Sequence, residues 1–314
     1  MTNTSLVGNE ELRHKLLNAF NSQSLPHAFI ITGPEGIGKS RIAFELAQRI
    51  LKITTPITAD SNNIHGDLLI LKQEESKDIT VDQVRQLKSF FAMTPANSGY
   101  RVVIIDAADN LNNNAANALL KSLEEPPANC FLVLINHIPG KVLATIKSRC
   151  SIYHAQPLST NEASGVLHKL LTDPDKQDLA HLLKLSHNAP GIALKLSEGS
   201  ANIMYDKILS IINTIPNISF AQINNLIDND IGKDENNWYT FKWLISFIIN
   251  QAAKSYSNHN LHSEFKLLID KTKLERWLFL WDKLNNMIRS CEQVNIERKQ
   301  IVTLTFTTLA KTLD

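Results

Sequence analysis

Ala28-Phe29-Ile30-Ile31-Thr32 runs directly into Gly33-Pro34-Glu35-Gly36-Ile37-Gly38-Lys39-Ser40, and Arg41 to Leu51 follows with apolar residues at helical spacing. An apolar run, a glycine-rich loop and an amphipathic segment in that order predict a strand–loop–helix unit. The loop satisfies G-x-x-x-x-G-K-[ST] at every required position. Such a loop curls successive backbone N–H groups around a phosphate, and the helix after it directs its positive end at the same point. Gly33, Gly36 and Gly38 lack the Cβ that would block the approach. Lys39 is placed to neutralise β- and γ-phosphate charge, and Ser40 to ligate Mg²⁺. Pro34, Glu35 and Ile37 complete the candidate site, whose expected occupant is ATP or ADP with Mg²⁺.

A second segment bears on the same site. Val102-Val103-Ile104-Ile105-Asp106 is a β-branched run ending in an acid. Beside a P-loop, that pattern makes Asp106 a candidate Mg²⁺ ligand through water, with a helix cap or a surface acid as the bland alternative. Asp109 reads as a cap or surface group. Ala107 follows Asp106 and can neither accept a proton nor orient a water, so no general base stands at that point of the chain. Further strand candidates are Asp67 to Leu71, Phe131 to Ile135 and Ser151 to His154. Near-continuous apolar strands separated by helical segments, here Val81 to Phe91 and Asn114 to Leu123, indicate an α/β fold whose five-stranded parallel sheet is covered on both faces. The second of these helices is stopped by Pro126 and Pro127. Ile53 to Ile64, rich in Thr, Asn and Asp, reads as a surface excursion.

From Thr160 onward helical periodicity replaces the strand series. Asn161 to Leu171, Asp178 to Leu185 and a helix through Leu196 form a short module, with Glu198-Gly199-Ser200 as a hinge. Met204 to Ile212, Asn237 to Lys254, Leu261 to Leu268 and Leu274 to Arg289 extend the helical part. The expected division is 1–157, a P-loop core; 158–200, a small helical module; and 201–314, an all-helical domain. In the last of these, the apolar stripe Phe241, Trp243, Leu244, Phe247 and Ile248 reads as core before interface.

Composition excludes several classes. A chain of 314 residues with 43% hydrophobic and 20% charged residues is an ordinary globular protein of two or three domains. A formal net charge of +1 gives no basic signature for nucleic-acid binding across the chain, although it leaves local patches open. Lys88, Arg101 and Lys121 are isolated basic residues to which no DNA contact is assigned. Cys130, Cys150 and Cys291 form no paired motif, so neither a zinc site nor a disulfide framework is expected. Met1 to Ser5 lacks the basic and apolar regions of a signal peptide, and the longest apolar runs fall short of the ~20 residues of a membrane span. A cytoplasmic location is expected.

Several segments occur in a telling order. The P-loop is followed by Val102 to Asp109, by Asn117-Ala118-Leu119-Leu120-Lys121-Ser122-Leu123-Glu124-Glu125-Pro126-Pro127, and by Ser148-Arg149-Cys150, with Pro26-His27-Ala28-Phe29 ahead of them all. This series resembles the clamp-loader subunits of the AAA+ family and, among them, the delta-prime family of bacterial DNA polymerase III subunits. The resemblance covers roughly the first two hundred residues. It implies an AAA+ core, a helical lid over 158–200 and a helical collar over 201–314. By the same resemblance Arg149 is an arginine finger acting in trans on a neighbour's ATP site. His137 falls at the polar sensor position, where it contacts the γ-phosphate or simply packs or caps. Val7 and Gly8 lie near the adenine. Gly191 stands where active loaders carry a second sensor arginine.

The departures from the pattern are informative. Many loader subunits carry a four-cysteine zinc module after the P-loop helix, whereas Leu51 to Asp67 contains no cysteine. Zinc is not carried over. Ala107 and Gly191 remove the water-activating acid and the sensor arginine, while the P-loop and Arg149 remain. The resemblance then implies a non-polymerising stator with little or no ATPase activity of its own. Its implied partners are the gamma/tau ATPase subunits, the delta subunit, the sliding clamp and primed DNA reached through the complex. The alternative is an ATP-hydrolysing gamma-type motor or another AAA+ ATPase, against which Ala107 and Gly191 argue.

Overall fold

All five positions of Ala28–Thr32 (β1) are buried, as a strand covered on both faces requires. In the computed structural model, the described residues are 6–58, 65–73, 78–96, 99–138, 140–171, 175–257, 273–294 and 296–313. Beside β1 lie Leu68–Lys72 (β2), Arg101–Asp106 (β3), Cys130–Asn136 (β4) and Ser151–His154 (β5), in one sheet of order β2-β3-β4-β1-β5. Every pairing is parallel. The register sets Thr32 opposite Asn136 and Asp106 opposite Ile135, which gathers the carboxyl ends of β1, β3 and β4 on one rim. That rim, where β1 lies between β4 and β5, is the carboxyl edge at which ligands bind open α/β sheets.

The helices explain themselves locally. Lys39–Leu51 (α2) begins two residues before the apolar periodicity does, because Lys39 and Ser40 of the loop form its first turn. Val81–Ala92 (α3) is started by a capping box between Thr80 and Gln83, and Asn113–Glu124 (α4) by Asn112, whose side chain accepts from Ala115 N. Glu10–Asn21 (α1), Ala144–Lys147, Phe220–Asn225 and Arg298–Leu313 are helices that the periodicity does not announce. Arg298–Leu313 is hidden by its threonines. In the structure Thr305 is buried and donates to Ile301 O at 2.8 Å, and Thr303, Thr307 and Thr312 bond back one turn likewise. A hydroxyl satisfied inside its own helix reads as polar in the sequence and packs as apolar. The helix expected over Leu261 to Leu268 lies outside the described residues, as does part of the excursion Ile53 to Ile64.

The chain forms two compact units, Met1–Thr172 with Asn188–Gly191, and Asp173–His187 with Ile192–Asp314. In the first, Ile30, Val103, Ile105, Leu132 and Leu134 of the sheet pack with Val84, Leu87 and Leu119 of α3 and α4. Arg101 is drawn into this unit, not displayed to DNA. It is 3% exposed, 3.5 Å from Asp67, and donates to Thr94 O and Gly66 O while its guanidinium covers Phe90. In the second unit, Glu235–Ser257 packs with Leu274–Gln293 and Ala201–Ile212. Phe241, Leu244, Phe247 and Ile248 are core there, and Trp243 donates its indole N–H to Leu185 O at 2.9 Å. The joint at Gly199 is tight, since a Cβ there would sit 2.0 Å from Thr240 Oγ1 and 2.8 Å from Asn236 O. Cys130, Cys150 and Cys291 are free, and burial pushes the Cys150 thiol up to about 12. Among the described residues, no helix is long and apolar enough to cross a membrane.

Candidate functional site

The loop Gly33 to Ser40 leaves the carboxyl end of β1 and enters α2. Gly33 N donates to Asn136 O at 3.2 Å, so the loop starts bound to β4. A Cβ on Gly33 would lie 2.5 Å from Ala155 O, which explains why no larger residue fits. Gly38 caps α2 with φ +95, a conformation costly to any residue with a side chain. Lys39 is 3% exposed, and its ammonium donates to Gly33 O at 2.7 Å and Pro34 O at 2.5 Å. Burial lowers its pKa from 10.5 to about 8, and nearby Glu35, Asp106 and Asp109 only partly oppose this.

Ser40 donates its hydroxyl to Asp106 Oδ2 at 2.6 Å. The two residues read as Mg²⁺ ligands from separate parts of the sequence are therefore hydrogen-bonded neighbours. His137 Nε2 lies 4.0 Å from Asp106 Oδ1, and His137 N donates to Asp109 Oδ1 at 2.8 Å. Asp109 thus fastens the end of β4 to the segment after β3, a role its position in the sequence does not suggest. Burial first, and then the charge of Lys39, lower the His137 pKa below 6.5, which keeps the ring neutral at pH 7. Its Nδ1 is buried without a hydrogen-bond partner among the described residues. Ala107 is 2% exposed and contributes no polar side-chain atom to this cluster.

Leu6, Val7 and Gly8 reach the same end of the sheet. Arg13 donates to both carboxylate oxygens of Glu45 on α2 at 2.8 Å and to Leu6 O at 3.1 Å, stapling this segment to the P-loop helix. Gly8 has φ +79, and a Cβ on it would strike Leu158 at 2.1 Å. Leu6 lies against Gly38, 3.5 Å from where its Cβ would be. Arg149 is placed differently. Its guanidinium pairs with Glu124 Oε1 at 2.7 Å and donates to Thr145 O and Ser148 Oγ, all outside the P-loop cluster. Glu124 belongs to the same Leu123-Glu124-Glu125-Pro126-Pro127 stretch that carries the resemblance.

A family model described as "DNA polymerase III, delta subunit" matches residues 8–159. The DNA polymerase III subunit delta' of Pseudomonas aeruginosa is 40% identical over 183 residues, 54% of this chain and 55% of that protein. Over about half of its length the chain is similar to the delta-prime subunits of clamp loaders. The subunit delta' of Bacillus subtilis is 32% identical over 58% of this chain and 57% of its own length. The subunit tau of Bacillus subtilis is 29% identical over 53% of this chain and 31% of that protein. The clamp-loader match therefore spans about half the length of the delta' relatives.

Besides Asp109, two site residues escape sequence reasoning. Asn136 is 2% exposed, sits opposite Thr32 and reaches its hydroxyl at 3.4 Å, while its Oδ1 accepts from Ile138 N. An amide at the end of the apolar run Phe131 to Ile135 was the available signal, since a polar group closing a buried strand needs a partner. Arg13 is the other, and nothing in its surroundings in the sequence points to Glu45.

Proposed function

We propose that this chain is a delta-prime-like stator of a DNA polymerase III clamp loader, which holds a nucleotide and exports its catalytic group to a neighbour. One observation carries the reading. An intact P-loop cluster surrounds Lys39, Ser40 and Asp106, yet the adjoining Ala107 is a buried methyl group with no base to activate water.

The residues present fit a nucleotide with Mg²⁺. The loop is open to close approach at Gly38, Lys39 is a desolvated cation, and His137 Nδ1 is a buried polar atom in need of a partner. Backbone amides of Gly33 to Ser40 would cradle the phosphates, with Lys39 turning from Gly33 O and Pro34 O to the anion. Ser40 and Asp106 would exchange their mutual hydrogen bond for the metal. Val7 and Gly8 would border the base, and His137 would meet the terminal phosphate. Bound Mg²⁺ would neutralise phosphate charge. With no base in place, these groups hold the nucleotide and leave its hydrolysis slow.

Arg149 supplies the complementary half. Salt-bridged to Glu124 at a partly exposed position, it is available for exchange onto the phosphates of an adjacent ATPase subunit, where a finger is worth roughly 10³–10⁵ in rate. The proposed partners are gamma/tau subunits, the delta subunit, the sliding clamp and primed DNA through the assembled complex. The proposed division of labour places this chemistry in 1–157, a lid in 158–200 and the collar in 201–314. A single-turnover assay on the isolated chain tests the first half: ADP or ATP binds with Mg²⁺, and bound ATP persists. Brisk, DNA-stimulated turnover by the isolated chain would refute the stator and favour the gamma-type motor.

A further inference from the structure

The backbone around Gly36 is held by a contact that the proposed function does not use. Gly191 N donates to Gly36 O at 2.9 Å. The approach is close enough to exclude a side chain, since a Cβ on Gly191 would lie 3.1 Å from both Gly36 Cα and Gly36 O. Both atoms are backbone and cannot swing away like the end of a flexible side chain. Gly191 is the second residue of the helix Pro190–Glu198, and Asn188–Gly191 belongs to the same compact unit as the loop. His187 and Asn188 carry φ of +52 and +59, ending the Lys176–Leu185 helix in left-handed conformations. Asn188 anchors the turn again by donating to Thr160 Oγ1 at 3.1 Å.

The consequence lies on the other side of the peptide. In a trans peptide the carbonyl and the following N–H point in opposite directions. Holding Gly36 O on Gly191 therefore turns the Ile37 N–H away from Gly191. Ile37 is fixed as well, being 3% exposed with its side chain beside Gly33. The Gly36–Ile37 peptide is thus pinned at its carbonyl and at the next side chain. In a loop that binds anions, converging N–H groups do the work, and their orientation before binding sets how much ordering the ligand must impose.

We propose that Gly191 is a positioning residue for phosphate: its amide orients the Gly36–Ile37 peptide so that the Ile37 N–H faces a nucleotide phosphate, and its missing side chain lets the start of its helix reach the loop. This rests on the nucleotide reading above. The test is a titration of the full chain with Mg·ADP, wild type against Gly191→Ala, together with amide hydrogen exchange of both proteins without nucleotide. The added Cβ crowds the Gly36 backbone while alanine's helix propensity offsets part of that cost, so the variant's nucleotide-free unfolding midpoint stays close to that of wild type. Its ADP affinity falls about tenfold, the scale of one charge-assisted hydrogen bond. The Gly191 amide exchanges slowly in wild type and faster in the variant. Equal ADP affinities in the two proteins overturn the proposal. If wild type binds no ADP at all, the nucleotide reading fails, and exchange decides the remainder. A slow Gly191 amide that speeds up in the variant then supports the strut, and rapid exchange in wild type overturns it.

Discussion

Replacing Lys39 with Met separates the electrostatics of the P-loop from its packing. In the nucleotide-free chain the Lys39 pKa falls from 10.5 to about 8, chiefly because burial disfavours the ammonium. The native state therefore binds fewer protons than the unfolded state between these values, and stability must rise with pH across that window. Below pH 8 the depressed pKa costs about 3 kcal/mol, at 1.36 kcal/mol per tenfold change in proton affinity. By pH 10 most of that cost has gone, so linkage gives a recovery of about 2–3 kcal/mol between pH 7 and pH 10. Lys39→Met keeps most of the length of the side chain and removes the proton site. Urea unfolding with EDTA and no nucleotide, at several pH values, gives the difference between the two proteins and cancels every other titration. The wild type should gain about 2–3 kcal/mol on the variant from pH 7 to pH 10. Parallel stability curves would show that Lys39 is not desolvated as described and would refute the reasoning.

Two further outcomes test the packing within each unit. Asp67→Ala strips the anion from Arg101, which is 3% exposed, and should cost about 3–5 kcal/mol in denaturant unfolding, with Arg101→Met in the same chain recovering part of the loss. Gly199→Ala forces a Cβ to within 2.8 Å of Asn236 O and should destabilise by about 1–3 kcal/mol.

What the sequence makes legible follows from how local each signal is. The strand–loop–helix order of Ala28 to Leu51 and the β-branched run ending at Asp106 are self-contained patterns, and the structure places strands and loop within a residue or two of them. The joining of Ser40 to Asp106 was readable only because two motifs share one chemistry. Asp109, Asn136 and Arg13 were not readable, because each acts through a partner far along the chain: His137 N, Thr32 and Glu45. Arg101 misleads in the opposite direction, since a charge looks like surface until Asp67, Thr94 and Phe90 are seen around it. The helix Arg298–Leu313 is missed for a related reason, its hydroxyls being satisfied within the helix itself.

The central claim is that the catalytic contribution of this chain is exported through Arg149 and not spent at its own P-loop. The direct measurement is DNA-stimulated ATPase activity of a clamp loader reconstituted with the full chain as wild type, Arg149→Ala or Lys39→Ala. The account predicts that Arg149→Ala lowers turnover by at least about tenfold, within the range a lost finger allows, while Lys39→Ala leaves most of it. The reverse pattern, with Lys39→Ala disabling the complex and Arg149→Ala nearly silent, would contradict it.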